Sequence, residues 1–244
     1  MRTMAFAARN AREIVRDPLS ALFGIGFPVV LILLISMMKR SVPEMPAEMF
    51  GIAAFTPGMA VFGLSFLSLF LGMLIANDRS SAFLMRLFAC PMTGADYILG
   101  YSLPMLPLAL LQGVVCYVTA LFGLPVSVNL LPGLAVLLVP AMLFIALGLL
   151  LGSLFTATQV GGAASILVNL AAWLSGTWFS LDMIGGVFRT LCNLLPFAHA
   201  VEAVKAAMNG EYSAMPLHLV WVAGYAVVFY GLAVWIFRRR MRGA

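Results

Sequence analysis

The sequence predicts an all-α membrane protein, and three observations carry that reading. Six apolar stretches occupy most of the 244 residues, and each is about 20 residues or more, enough at 1.5 Å per residue to cross a hydrocarbon core roughly 30 Å thick. None has an ionisable side chain at its centre, where a charge would cost about 2.5–3.5 kcal/mol on insertion scales. Apolar residues make up 63% of the chain and charged residues 9%, with a mean hydropathy of +1.07. An ordinary soluble domain carries about 25% charged residues, so the polar shell needed to house a soluble enzyme is missing.

The first element is expected over residues 1–18. At about 100° per residue, Arg2, Arg9, Arg12, Glu13 and Arg16 share one arc of a helical wheel. Met4, Ala7, Ala8, Ala11, Ile14 and Val15 share the opposite arc, with Phe6 as the exception, and Asp17-Pro18 stops the helix. A basic amphipathic helix beside a span belongs in the membrane interface, apolar face in lipid and arginines toward headgroups. It serves either as a topology anchor alone or also as a contact for a cytoplasmic partner.

The spans follow as 19–38, 51–76, 98–122, 132–155, 161–180 and 217–237. The first is too long, and lacks the small-x-small site, for a cleavable signal peptide. Pro28, Pro57, Pro104, Pro107 and Pro140 are expected to kink spans. Gln112, Asn169 and Thr177 are polar groups within them, able to bond across helices or to line a path, with packing the simpler role. Cys90, Cys116 and Cys192 are odd in number and scattered, which supports neither a disulfide framework nor a metal site.

Charge placement gives the orientation. Arg2, Arg9, Arg12, Arg16, Arg79, Arg86, Arg238, Arg239, Arg240 and Arg242 fall on one side of a six-span layout, including the basic tail 238–244. Lys39, Arg40, Arg189 and Lys205 fall on the other, offset by Glu44, Glu48, Asp182, Glu202 and Glu211. The positive-inside rule then predicts both termini in the cytoplasm. The net charge of +5 is accounted for by topology and implies no nucleic acid.

Two connections are substantial. Loop 77–97, on the cytoplasmic side, contains a short amphipathic segment from Arg79 to Cys90, closed by Pro91. Phe83, Leu84, Leu87 and Phe88 cluster on its wheel, with Arg79 and Arg86 at the edge. Such a segment either docks in a groove on another protein or lies on the membrane. On the outer side, residues 181–216 carry two apolar stripes. Met183, Ile184, Val187, Phe188 and Leu191 form the first; Phe197, Val201, Val204 and Met208 form the second. Pro196 separates them and Asn209-Gly210 stops the second. At about 10–14 residues each stripe is too short to span, and suits a re-entrant or interfacial hairpin.

The order of these parts resembles the membrane subunit of a type-2 ABC transporter, the permease class behind bacterial drug and polysaccharide exporters. Its most specific pieces are Asn77-Asp-Arg79, followed by Pro91-Met-Thr-Gly-Ala-Asp-Tyr-Ile-Leu-Gly100, and Leu195-Pro-Phe-Ala-His-Ala-Val-Glu-Ala-Val-Lys205. The family often has a glycine after the position of Arg79, where this chain has Ser80-Ser81. The resemblance implies that the segment between spans two and three is a coupling helix. Asp78, Arg79, Phe83, Leu84, Arg86, Leu87 and Phe88 would then carry ATPase coupling. It further implies that Val187, Pro196, Val201, His199 and Glu202 belong to an outer re-entrant hairpin and gate. No Gly-x-x-x-x-Gly-Lys-Ser/Thr motif occurs in the sequence. The resemblance therefore implies no cofactor bound by this chain, with ATP and magnesium held by a separate ATPase subunit, two copies of it. A second permease chain, in the simplest case a homodimer, would complete the transporter. Export is the activity implied, and spans empty of ionisable groups point to an amphiphilic drug, lipid or lipid-linked molecule as its cargo.

His199, Glu202 and Lys205 are spaced to share a helix face, as a polar relay or gate or, more simply, a local salt bridge facing water. An ion-coupled secondary transporter is the alternative reading, opposed by spans empty of Asp, Glu and His. An intramembrane serine protease using Ser175 and His218 is a remoter one, because Trp173-Leu-Ser-Gly176 lacks the expected first glycine and nothing places nucleophile and base together.

Overall fold

A computed structural model describes residues 2–18, 22–42, 51–81, 93–122 and 129–241. Among them there is no strand, and six helices are long and apolar enough to cross a membrane. The N-terminal helix α1 is Arg2–Val15. Span one opens with a π-helical turn, Leu22–Gly26, and continues as α2, Phe27–Ser41, with Pro28 in its first turn where no backbone donor is needed. Span two is α3, Ile52–Ser80. Span three is broken into α4, Gly94–Ser102, and α5, Met105–Ala120, with Pro104 at the joint. Span four is α6, Leu130–Leu154, and span five is α7, Ala157–Leu174. The hairpin consists of α8, Leu181–Ile184, α9, Gly186–Leu194, and α10, Pro196–Asn209. Span six is α11, Met215–Met241.

Spans two and four are the interior of the bundle, and spans one, five and six are its mostly uncovered rim. The central pair approach closely enough to touch backbone to backbone. A methyl group on Gly148 would stand 3.0 Å from the Ser68 backbone, and one on Gly152 would stand 2.8 Å from the Gly72 carbonyl. Gly148 and Gly152 are one helical turn apart, the small-xxx-small spacing that lets membrane helices pack without intervening side chains. Span four also packs on span six and on α10.

Several boundaries differ from the sequence expectation for local reasons. Span three starts earlier than residue 98 because Thr93 and Asp96 form a reciprocal capping box: Thr93 N–H donates to Asp96 Oδ2 at 2.9 Å, and Asp96 N–H to Thr93 Oγ1 at 3.2 Å. Span five starts at Ala157, behind a second such box made by Thr156 and Gln159, and ends at Leu174 rather than near residue 180. Residues 77–80 extend span two into what reads as loop. The stripe Met183–Leu191 is not one helix. Gly185 sits at φ 64°, in the region that disfavours side chains, and divides α8 from α9.

Candidate functional site

The end of the bundle that gathers α1, the last turn of span two, α4 and the last turns of spans four and six is a charged base. Arg9 makes a two-pronged pair with Asp78, Nη1 to Oδ2 at 2.6 Å and Nη2 to Oδ1 at 2.8 Å. Tyr101 donates to the same carboxylate at 2.7 Å. Asp78 is only 4% exposed, a cost that these two donors offset, since a buried carboxylate needs both charge and hydrogen-bond partners. Burial works against the Arg9 charge, yet the hydrogen bond and field of Asp78 win and hold the guanidinium above its ordinary range. Beside them, buried Asn10 donates to the Gly100 carbonyl at 3.0 Å and Thr3 donates to Asp96. Phe6 meets Tyr101 edge to face, with centroids 4.9 Å apart.

One side of α1 is taken up by the protein itself. Its inward arc is Phe6, Ala7 and Asn10, packed on span three, while Met4 and Val15 are exposed, as a face turned to lipid would be. Phe6 is not an exception but the centre of the contact. Arg9 turns to the protein rather than to headgroups.

Arg79 closes the other half of the base. Its Nη1 donates to the carbonyls of Gly152, Ser153 and Phe155, at 2.6, 2.9 and 3.2 Å. A cation at the end of a helix satisfies carbonyls that have no intrahelical partner and complements the negative end of the dipole. Tyr97 stacks on Phe237 at 3.8 Å between centroids, drawing the end of span six into the same base. Of the expected coupling residues, Asp78 and Arg79 are therefore bound within the chain. Phe83, Leu84, Arg86, Leu87 and Phe88 lie outside the described residues, and so does Cys90.

At the opposite end the hairpin folds back on span six. Val201 and Pro196 are buried, with Phe197, Val204 and Met208 on the same inward face of α10. The first stripe points the other way: Met183, Ile184, Val187 and Leu191 are all more than half exposed, Val187 at 77%. The second stripe is thus covered by the chain itself, while the first faces outward, where an interfacial segment would meet lipid. Glu202 and Lys205 form an exposed pair at 3.5 Å. His199 is not part of a relay with them. Its Nδ1 lies 2.7 Å from His218 Nδ1 at the start of span six, and its Nε2 is 2.9 Å from the Asn193 carbonyl. Trp221 and Tyr225 both donate to the Leu194 carbonyl, at 3.2 and 2.8 Å. The sequence offers no signal for the histidine pair beyond its being the chain's only two histidines.

Ser175 donates to the Ala172 carbonyl at 2.9 Å and lies 2.7 Å from Thr177 Oγ1, while His218 is taken up by His199, so nucleophile and base of the protease alternative are not brought together. Gln112 is buried, its Nε2 donating to the Ala60 carbonyl across spans three and two at 3.2 Å.

Between spans one, two and five lies an aromatic cleft of about 480 Å³. Phe23, Phe27, Phe62, Phe66, Trp173 and Trp178 line it, with Ser165 and Asn169 as its polar side chains. Asn169 is committed locally through Nδ2 to the Ser165 carbonyl at 2.9 Å, and Ser165 through Oγ to the Gly161 carbonyl at 2.8 Å. The rings contact one another, Phe62 with Phe66 at 5.4 Å and with Trp178 at 6.4 Å. Mostly apolar walls with few polar groups are the usual make-up of a small-molecule site.

A family model described as ABC-2 type transporter matches residues 1–209. Nodulation protein J of Rhizobium meliloti (strain 1021) is 26% identical over 126 residues, covering 51% of this chain and 48% of that protein. The match thus spans about half the length of that curated relative.

Proposed function

This chain belongs to the ABC-2 type transporter family, and on that premise we propose that it is the permease subunit of an ATP-driven exporter. It is a multi-pass membrane protein, a transport subunit. In our reading both termini face the cytoplasm, a separate ATPase subunit supplies ATP and magnesium, and two permease chains, most simply two copies of this one, enclose the substrate path with two ATPases beneath them.

The observation that supports coupling is the base. Asp78 and Arg79 tie the end of span two to α1, span three and span four immediately before residues 82–92. A force applied to that segment meets a braced joint rather than a loose loop. Phe83, Leu84, Leu87 and Phe88 serve as buried anchors on the ATPase, with Arg86 at the rim, because apolar anchors dominate affinity and rim charges tune register. Asp78 and Arg79 are positioning residues behind them. The double variant Phe83→Ala, Leu87→Ala is expected to lose the ATPase during purification of the complex while the permease itself stays folded and in the membrane. Retention of the ATPase together with normal export would overturn the assignment.

The aromatic cleft supports the substrate class. With no ionisable group among its lining residues, it suits an amphiphilic drug, lipid or lipid-linked molecule whose apolar portion stacks on Phe62, Phe66 and Trp178. The absence of mid-span carboxylates favours this reading over ion-coupled transport.

A further inference from the structure

The two histidines of the chain meet each other at the far end, and their hydrogen-bond geometry fixes their protonation. The Asn193 carbonyl can only accept, so His199 Nε2, 2.9 Å away, carries a proton. A neutral His199 then presents a bare Nδ1. The 2.7 Å approach of His218 Nδ1 requires that His218 hold its proton on that nitrogen and donate it. The contact tolerates one added proton, because a His218 imidazolium still donates through Nδ1. It does not tolerate two: both Nδ1 atoms would then carry hydrogens pointing at each other, between two like charges whose rings are 5.0 Å apart.

From this geometry we infer that His199 and His218 form a proton-operated latch, closed when the pair carries at most one extra proton and released by the second. The latch sits where release matters. His199 joins three pieces: the α9 end through the Asn193 carbonyl, α10 on which it stands, and span six through His218. Trp221 and Tyr225 of span six hold the adjoining Leu194 carbonyl, and the Trp221 ring lies 5.3 Å from His199. Opening the imidazole contact leaves the α9–α10 elbow held to span six by those two neutral donors. The charged and titratable groups on the elements packed around the pair are Glu202 and Lys205 on α10, 3.5 Å from each other, Arg189 and Cys192 on α9, and Tyr225 on span six.

The elbow contains its own reporter. Cys192 is fully buried, one residue before Asn193. In the 244-residue chain carrying Cys90→Ser and Cys116→Ala, Cys192 is the sole thiol. Its rate of reaction with a maleimide in lipid nanodiscs, corrected for the thiolate fraction measured on denatured protein, is expected to rise about tenfold on acidification from about pH 7.5 to about pH 4.5, as the pair takes up its second proton against the charge of the first. His218→Gln and His199→Gln keep polarity but cannot charge, and are expected to flatten the profile. A flat wild-type profile, or the same rise in both glutamine variants, would overturn the latch. Should neither variant fold, 15N-histidine spectra of the wild-type protein decide. The latch requires one protonated and one bare Nδ1 at neutral pH, and both protonated where Cys192 becomes reactive. Two rings titrating independently, with no link to Cys192, would refute it.

Discussion

The two ends of the bundle are fastened by different chemistry. At the base, permanent charges do the work: Arg9 grips Asp78 with two hydrogen bonds, and Arg79 caps three carbonyls of span four. At the far end the donors are imidazole, indole and phenol, and their acceptors are the carbonyls of Asn193 and Leu194 or a second imidazole. Charge-assisted bonds are roughly twice as strong as neutral ones, so the base is a fixed joint and the far end a releasable one. The proposed exporter, receiving force at one end and opening at the other, would use that asymmetry.

The contrast can be broken most severely at Arg9. Arg9→Ala leaves the Asp78 carboxylate buried with Tyr101 as its remaining hydrogen-bond donor, and the expected loss is about 3–5 kcal/mol, as for other broken buried pairs. Thermal unfolding of the purified protein measures it, and adding Asp78→Ala should recover a large part. No recovery in the double variant would mean that Arg9 matters for something other than this carboxylate. Next comes the far end. Tyr225→Phe removes one neutral bond to the Leu194 carbonyl, still served by Trp221, with an expected cost of about 0.5–1.5 kcal/mol; a loss as large as that at Arg9 would erase the distinction between the ends. The smallest effect belongs to Glu202→Gln with Lys205→Gln. The pair is exposed and 3.5 Å apart, and its removal should change stability by less than about 0.5 kcal/mol and leave export unchanged. Loss of export at normal expression would make the outer face of α10 functional.

The spans were legible because hydropathy is a local property: a window of the sequence already contains the reason for each one. The inward face of α10 was legible for the same reason, through the spacing of Phe197, Val201, Val204 and Met208. What could not be read were pairings between distant positions. Arg9 and Asp78 stand 69 residues apart, and on a wheel Arg9 belongs to a basic arc indistinguishable from its neighbours. Phe6 reads as a misplaced apolar residue until span three is set against it. His199 reads as the first member of an i, i+3 series with Glu202 because that series is local, whereas His218 reaches it only after the hairpin closes. The exposed face of α8 and α9 shows the limit of periodicity: an apolar stripe signals that a surface avoids water, and does not say whether protein, lipid or another copy covers it.

The glycine contact between spans two and four has a mechanical consequence. Side chains that interdigitate can change rotamer and let two helices slide, but backbones pressed together at Gly148 and Gly152 have nothing to rearrange. Arg79 adds a clamp at one end of the same pair. Where they touch, residues 68–79 against 148–155, spans two and four thus move as one stiff piece, roughly 18 Å long at 1.5 Å per residue. Displacement imposed at the base is carried into the middle of the bundle without being absorbed on the way. Softer elements must then supply the give: the Pro104 joint in span three, the π-helical entrance to span one and the loosely covered spans at the rim.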